Sequence, residues 1–209
     1  MIAVADRLKD PATYDRARSD IYVLLAMLLT QPPSPEVFGG ILSLEVEEGV
    51  PRQLHIALMR LRDAGCSFSP AELELEFQAL FVGLGCGEIV PFASWYRERR
   101  LMAGPLAELR GDLRCFGLRR REGSCEPEDH AGVLCEILAM ISRADSGVSF
   151  ERQRPFFKNH ALSWLPRFFR DLQGLRGAVF YRDVGILGEV FMDTEQRYFS
   201  PTQLTGDGT

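Results

Sequence analysis

The stretch SCEPEDHAGVLCEIL, residues 124–138, places an acidic cluster and a histidine directly ahead of an apolar run. Its acidic part is Glu126-Pro127-Glu128-Asp129-His130. A carboxylate beside an imidazole can transfer protons, and both groups can bind a metal ion. The same residues can cap a helix or pair with a cationic partner. The stretch is therefore a candidate catalytic site, metal site, helix cap or contact surface.

A catalytic or metal site at Asp129 and His130 lacks the further groups that it would need. The Asp-His order reverses the His-Asp pair of metal-dependent phosphohydrolases, and the chain has only two other histidines, His55 and His160. A zinc site made of His130 and nearby cysteines is disfavoured, because His130 and Cys135 are five residues apart and diverge in direction on a helix. We therefore predict no catalytic residue and no bound metal. A helical metal-dependent hydrolase using Asp129 and His130 stays as an alternative.

Helix capping explains the acids better than it explains the histidine. Pro127 suits the first turn of a helix, and exposed acids near a helix N-terminus complement the macrodipole by roughly 0.3–1 kcal/mol each. A charged imidazole is disfavoured in that position, so we predict that His130 is neutral. Because His130 precedes Leu134 by four residues, it is expected toward the apolar face, near Glu126.

Composition and charge narrow the class of protein. The chain has 209 residues, a formal net charge of −5 and a pI of about 5.3, and it shows none of the basic faces typical of nucleic-acid binders. The five cysteines are odd in number and scattered, which favours reduced thiols and the cytoplasm. The apolar run 21–29 is shorter than the ~20 residues that span a bilayer. We therefore expect a cytoplasmic protein that neither binds nucleic acid nor inserts stably into a membrane.

Helix start and stop signals cover most of the chain, and no segment shows the alternation of a strand. The clearest start is at Ser69, which can cap a helix with Pro70 in its first position and Glu72 three residues after the cap. The predicted helices are 12–30, 35–43, 51–64, 70–82, 105–116, 126–144, 150–172 and 178–197. We expect Pro155 and Pro166 to kink or divide the helical region 150–172. The sequence thus predicts an all-α fold, a single compact helical bundle over 1–199 with a frayed tail at 200–209.

Four segments, in this order, resemble the TorD/DmsD/NarJ family of redox-enzyme maturation chaperones. They are FQALFVGLG at 77–85, VPFASWYRERRLMAGP at 90–105, EPEDHAGVLCEILAMI at 126–141 and FFKNHALSWLPRF at 156–168. The third is similar to the family's Glu-Pro-x-Asp-His signature, and the fourth to its Phe-x-x-x-His-Leu-x-x-Trp segment. The combination and spacing carry the resemblance, because none of the four segments would suffice alone.

The resemblance implies a single TorD-like all-α domain without catalytic activity or cofactor. Such a protein binds the basic twin-arginine leader, and often the body, of an apo-molybdoenzyme catalytic subunit. It assists insertion of the molybdopterin cofactor and delays export. The resemblance also implies a monomer or a domain-swapped dimer, for which the connections 83–94 and 117–125 are candidate hinges. It leaves open which molybdoenzyme is the client.

The expected leader site combines carboxylates with an apolar groove. Glu126 and Asp129 would pair with the leader arginines, while His130 would orient the acids or close the rim. Ser94 and Gly104 would shape the connection beneath an apolar wall. The predicted site residues are Phe77, Leu80, Phe81, Ser94, Trp95, Tyr96, Gly104, Glu126, Pro127, Asp129 and His130. Besides the hydrolase, a generic helical interaction protein stays as an alternative.

Overall fold

The computed structural model of the protein describes residues 11–46, 49–83, 87–119 and 126–200. Within these ranges the chain forms ten α-helices, and its only β-type pairing is one isolated bridge between Phe92 and His130. The helices are α1 (Pro11–Thr30), α2 (Pro35–Leu42), α3 (Arg52–Gly65), α4 (Pro70–Phe77), α5 (Ala93–Glu98), α6 (Gly104–Cys115), α7 (Ala131–Ser142), α8 (Phe150–Phe156), α9 (Leu165–Gly174) and α10 (Phe180–Tyr198). The predicted all-α fold class is confirmed.

Two helix pairs form the centre of the bundle. Helix α7 packs along α1, and α10 packs against α9 and α3. Nine of the 12 residues of α7 are buried, which agrees with its nearly continuous apolar sequence. Gly132 lets α7 approach α1 closely, because a Cβ atom at this position would lie 2.5 Å from Cγ2 of Thr30.

A buried ion pair joins α1 to α10. Arg18 donates from Nε and Nη2 to the two carboxylate oxygens of Glu195, at 2.7 and 3.0 Å. The hydroxyl groups of Tyr14 and Tyr22 also donate to this carboxylate, each at 2.9 Å. Arg18 is 3% exposed and Glu195 is fully buried, so the pair requires these neutral donors to compensate its desolvation.

Several predicted boundaries agree with the structure. Ser69 caps α4 in a reciprocal capping box with Glu72, as the sequence indicates. The α4 helix continues as a π-helical turn at Gln78–Val82, and α8 continues in the same way at Phe157–Ala161. The region 150–172 is divided as expected, since α9 begins at Leu165 with a proline in its first turn.

One helix start and one whole helix differ from the predictions. The predicted helix 126–144 begins only at Ala131, because residues 126–130 form a turn and His130 is the residue that caps the helix. Helix α5 at Ala93–Glu98 was not predicted, since it has only six residues and no side chain of its own caps its start. The tail beyond Ser200 and parts of both candidate hinge connections lie outside the described residues.

Candidate functional site

His130 marks the start of α7 and is held in its neutral form. Its backbone N–H donates to the carbonyl of Pro127 at 3.0 Å and closes the preceding turn. Its Nδ1 atom accepts the backbone N–H of Gly132 at 3.2 Å, a bond that only an unprotonated Nδ1 can accept. Burial lowers the pKa of His130 to about 4. The predicted neutral imidazole is therefore confirmed, although burial is the cause.

Asp129 faces inward and caps a different helix from the one that follows it. Its carboxylate accepts the backbone N–H of Ser94 at 3.0 Å, and its carbonyl accepts that of Ala93 at 2.9 Å. These are the first two residues of α5, so Asp129 supplies the cap that the sequence around α5 lacks. Because Asp129 is only 1% exposed, it does not present its carboxylate to a leader in this structure.

Glu128 forms the outer side of the same turn. Its Oε2 atom accepts hydrogen bonds from Nε and Nη2 of Arg110 on α6, at 3.0 and 2.8 Å. This pairing raises the pKa of Arg110. Glu126 and Pro127 are half-buried at the rim of the turn. The acidic cluster is thus a hydrogen-bonded junction rather than a set of solvent-facing carboxylates.

The connection leading into α5 joins the junction to the first of the four segments. Pro91 accepts the backbone N–H of Ala131 at 2.8 Å, and Ile89 donates its N–H to the carbonyl of Leu80 at 3.1 Å. Phe92 packs edge-on against the His130 ring, with the centroids 5.1 Å apart. The path from Leu80 to His130 therefore runs through residues 87–94.

Helix α5 continues this connection to the fourth segment. The Tyr96 hydroxyl donates to Asp171 at 3.0 Å, and its ring lies 5.6 Å from that of Trp164 and 6.0 Å from that of Phe168. Burial, together with the bond to Asp171, raises the pKa of Tyr96. Residues 87–98 thus contact all three other segments, which the sequence separates by up to about 90 residues.

The predicted apolar wall is mostly part of the core. Phe77 is 5% exposed and Leu80 is fully buried, so neither lines an open groove in this structure. Phe81 is half-buried, with its ring edge-on to that of Tyr181 at 5.3 Å. Trp95 is half-buried beneath the Arg99 guanidinium. The helical spacing that suggested a wall is equally the spacing of a core face.

An open apolar surface instead lies between α5 and α6. The connection contains two non-glycine residues in the left-handed region, Arg99 and Met102, both with φ of 54°. Met102 is 77% exposed, and such backbone strain is frequent at ligand sites. Beside it is a cavity of about 330 Å³. Its lining residues are Met102, Ala103, Leu106, Ala107, Arg110, Arg114 and Pro127.

Gly104 and Pro127 are the predicted site residues nearest to this cavity. Gly104 begins α6, and a Cβ atom there would lie 2.7 Å from Oε1 of Glu98. Pro127 brings the acidic turn to the cavity wall. The sequence did not single out Met102 or Leu106, because a positive φ and a cavity depend on contacts that no local pattern shows.

The described residues bring no metal-binding group together at Asp129 and His130. Within the described residues, no group of three or more His, Cys, Asp or Glu side chains could hold a metal ion. The Ser94 hydroxyl is buried and makes no hydrogen bond in the described part of the chain. The Asp129 carboxylate and Nδ1 of His130 each accept a backbone N–H group. Among the described helices, none is long and apolar enough to cross a membrane.

Known proteins are similar to this chain in sequence and in fold. The model of the nitrate reductase delta subunit family matches residues 48–170. A chaperone protein TorD of Vibrio cholerae is 29% identical over 174 residues, which cover 72% of this chain and 77% of that protein. One from Vibrio parahaemolyticus is 30% identical over 154 residues, covering 68% and 70%. A crystal structure of a redox enzyme maturation protein from Archaeoglobus fulgidus superimposes with a TM-score of 0.57 at 17% identity, covering 86% of this chain and 93% of that one.

Proposed function

The chain belongs to the nitrate reductase delta subunit family with the TorD chaperones, and from this we propose that it binds the twin-arginine leader of an apo-molybdoenzyme. The family is one of chaperones and not of enzymes, so the hydrolase alternative is set aside. We further propose that the protein acts in the cytoplasm, where it holds its client until the molybdopterin cofactor is inserted.

The observation that carries the proposal is the convergence of the four segments on residues 87–98. Backbone hydrogen bonds join this stretch to Leu80 and to Asp129, and aromatic contacts join it to Trp164. This connection runs into the exposed α5–α6 loop, where Arg99 and Met102 have positive φ angles. Stability of a helical bundle alone does not require such a loop. The arrangement is suited to a loop that is positioned by a rigid support and contacts a ligand.

We assign the apolar part of the leader to the cavity between α6 and Pro127. Met102 is 77% exposed at its edge, so an apolar side chain is available there without opening the core. A leader residue that covers the Met102 side chain would remove apolar surface from water, worth up to about 1.5–3 kcal/mol.

We assign the basic part of the leader to the rim formed by Glu126 and Pro127. Glu126 is the half-buried acid at this rim, whereas Asp129 and Glu128 are buried. Asp129 and His130 then act as positioning residues, because they hold α5 and the start of α7 at the correct separation. A leader arginine at the rim would form a charge-assisted contact that weakens with salt.

The test is the affinity of synthetic twin-arginine leader peptides from several molybdoenzymes, measured by calorimetry. Wild-type protein should bind at least one peptide, and Met102→Ser should weaken that binding by about tenfold without changing the thermal midpoint. Ile56→Ser is the matched control, because Ile56 is also exposed, at 48%, but lies on α3. A peptide whose two arginines are replaced by glutamine should bind more weakly.

Three results would count against the proposal. The first is that none of the leader peptides binds, and the second is that Met102→Ser and Ile56→Ser have the same effect. The third is that unrelated basic peptides bind as well as leaders do, since this would indicate a generic helical interaction protein.

A further inference from the structure

Helix α7 is buried except for one narrow stripe. The stripe consists of Val133, Glu136, Met140 and Arg143, at spacings of three, four and three residues. Met140 is 50% exposed although it is a large apolar side chain. A helix at the centre of a bundle would ordinarily cover such a stripe with a neighbour, so this face is open to a partner.

Helix α1 presents a similar stripe. Asp20, Val23 and Met27 are exposed at helical spacing, with 37% of Val23 and 43% of Met27 accessible. The other apolar side chains of α1 from Ala17 to Leu29 point into the core or are half-buried. Neither stripe includes any of residues 87–98, the stretch that contacts the other three segments.

The two stripes lie side by side. The Ser19 hydroxyl donates to the Ala139 carbonyl at 3.2 Å, and Gly132 lies against Thr30, so α1 and α7 are antiparallel. Val23 follows the contact residue Ser19 by four positions, and Glu136 follows the contact residue Gly132 by four positions. Four positions on a helix rotate a side chain by about 40° from the line of contact. In antiparallel helices equal rotations point to the same side of the pair. We call this surface the α1–α7 seam, defined by Asp20, Val23, Met27, Val133, Glu136 and Met140.

Glu136 is the polar group at the middle of the seam. Its carboxylate has no hydrogen bond and no ion pair within the described residues. The nearest basic side chain along its stripe, Arg143, is bonded to Asp145 at 2.9 Å. Neighbouring side chains exclude enough water to raise the pKa of Glu136. Because Glu136 is exposed and no cation pairs with it in the described part of the chain, a partner that supplies a cation could form an ion pair with it.

We propose that the α1–α7 seam binds a helical segment of a partner protein that carries a lysine or arginine within its apolar face. The groove between two packed helices accepts the ridge of a third helix, and Val23, Met27 and Met140 supply flexible apolar contacts. The partner cation would lie over Glu136. This surface uses different helices from the leader site and does not depend on leader binding.

Charge argues against two other occupants. A second copy of this chain, related by a two-fold axis through the seam, would bring Glu136 close to its own counterpart, and like charges repel. The surface of an anionic membrane would repel Glu136 as well, whereas Asp20 interacts with Arg143 and does not decide between the occupants. A basic amphipathic helix is the occupant whose apolar and charged groups both match the seam.

Methionine methyl NMR can test the proposal on the intact protein. Met27 and Met140 report on the seam, Met102 on the leader site, and the fully buried Met192 on global changes. The probe is a synthetic helix of about four turns with leucines on one face and a single lysine among them. The Met27 and Met140 signals should shift and saturate, while the Met192 signal stays in place. The result that overturns the proposal is an unchanged pair of seam signals, or shifts at Met102 alone.

Charge variants identify the role of Glu136. Glu136→Gln should weaken probe binding by about fivefold, as expected for loss of an exposed ion pair, and should leave the thermal midpoint unchanged or raise it. Glu151→Gln, at an exposed acid on α8, is the control and should change neither. Equal affinity of wild type and Glu136→Gln would overturn the proposal. So would seam shifts that follow protein concentration alone, or that appear with anionic vesicles rather than with the probe.

Discussion

Asp129 and Glu195 are both buried carboxylates, yet they stabilise the molecule in different ways. Glu195 accepts hydrogen bonds from three side chains of α1, and these hold α1 and α10 together. Asp129 accepts only backbone N–H groups, and these belong to a connection 35 residues earlier. Glu195 therefore fixes the positions of whole helices, while Asp129 fixes the shape of one loop beside the proposed leader site.

The difference shows that burial alone does not tell whether an acid is part of the scaffold or of the site. What decides is the group that the acid holds. Loss of a side-chain partner in the core exposes the whole bundle to unfolding. Loss of an acceptor for the backbone of a connection beside the site changes the local geometry, so affinity should fall together with stability.

The largest effect is expected at the α1–α10 ion pair. Glu195→Ala removes the carboxylate to which the buried Arg18 guanidinium donates, so the free energy of unfolding should fall by about 3–5 kcal/mol. Urea denaturation followed by far-UV circular dichroism measures it. The double variant Arg18→Leu with Glu195→Leu should recover only part of the loss, because it removes both charges but leaves the Tyr14 and Tyr22 hydroxyls without this acceptor. A loss under about 1 kcal/mol in Glu195→Ala would remove the distinction between the two centres.

The second prediction concerns acidification, which should weaken the junction through His130. Its pKa is about 4 in the fold against an ordinary 6.5, so the unfolded chain binds more protons between these values. The contribution of His130 to the free energy of unfolding is therefore constant above about pH 6.5. It falls by up to about 3 kcal/mol as the pH drops from 6.5 to 4. Arg18, by contrast, stays charged throughout, since Glu195 raises its pKa.

His130→Asn isolates this contribution. Asparagine can cap α7 as the imidazole does, but it does not titrate. The difference in unfolding free energy between wild type and variant should therefore shrink or reverse as the pH falls from 6.5 to 4. A difference that does not depend on pH would mean that His130 is not the group responsible.

These two centres also show how far the sequence could predict the structure. The helices, the capping box at Ser69 and the all-α class follow from local patterns of apolar spacing and capping. The acidic turn is predicted as a site by its composition together with its resemblance to the Glu-Pro-x-Asp-His signature. The Arg18–Glu195 pair could not be predicted, because 177 residues separate its partners and no local pattern connects them.

The limits of local patterns are clearest at the junction. Pro127 followed by acids is typical of a helix start, but the helix begins at Ala131, since Asp129 caps α5 instead of its own helix. The cap of α5 comes from a distant segment, so this short helix had no signal of its own. The Phe77 and Leu80 spacing fits a core face and a groove wall equally well, and only tertiary packing separates the two.

The third prediction tests whether Asp129 belongs to the site. Asp129→Ala leaves the Ser94 N–H without its acceptor, which should cost about 1–3 kcal/mol of stability. Leader affinity should fall by about tenfold in protein that is still folded, whereas the folded fraction of Glu195→Gln should bind as wild type does. Thermal midpoints and calorimetric affinities of both variants decide the matter. If Asp129→Ala lowers the midpoint and leaves affinity unchanged, Asp129 is only the cap of α5.

The smallest effect is expected at the third acid, Glu128, whose partner Arg110 has a side chain that is 45% exposed. Water screens this ion pair, so Arg110→Gln should cost less than about 1 kcal/mol. The glutamine amide can still donate to Glu128, which is itself 7% exposed. Denaturant midpoints at low and moderate salt should show the cost declining as salt rises. A loss as large as that of Glu195→Ala would mean that burial of the acid, and not burial of its partner, sets the energy of these centres.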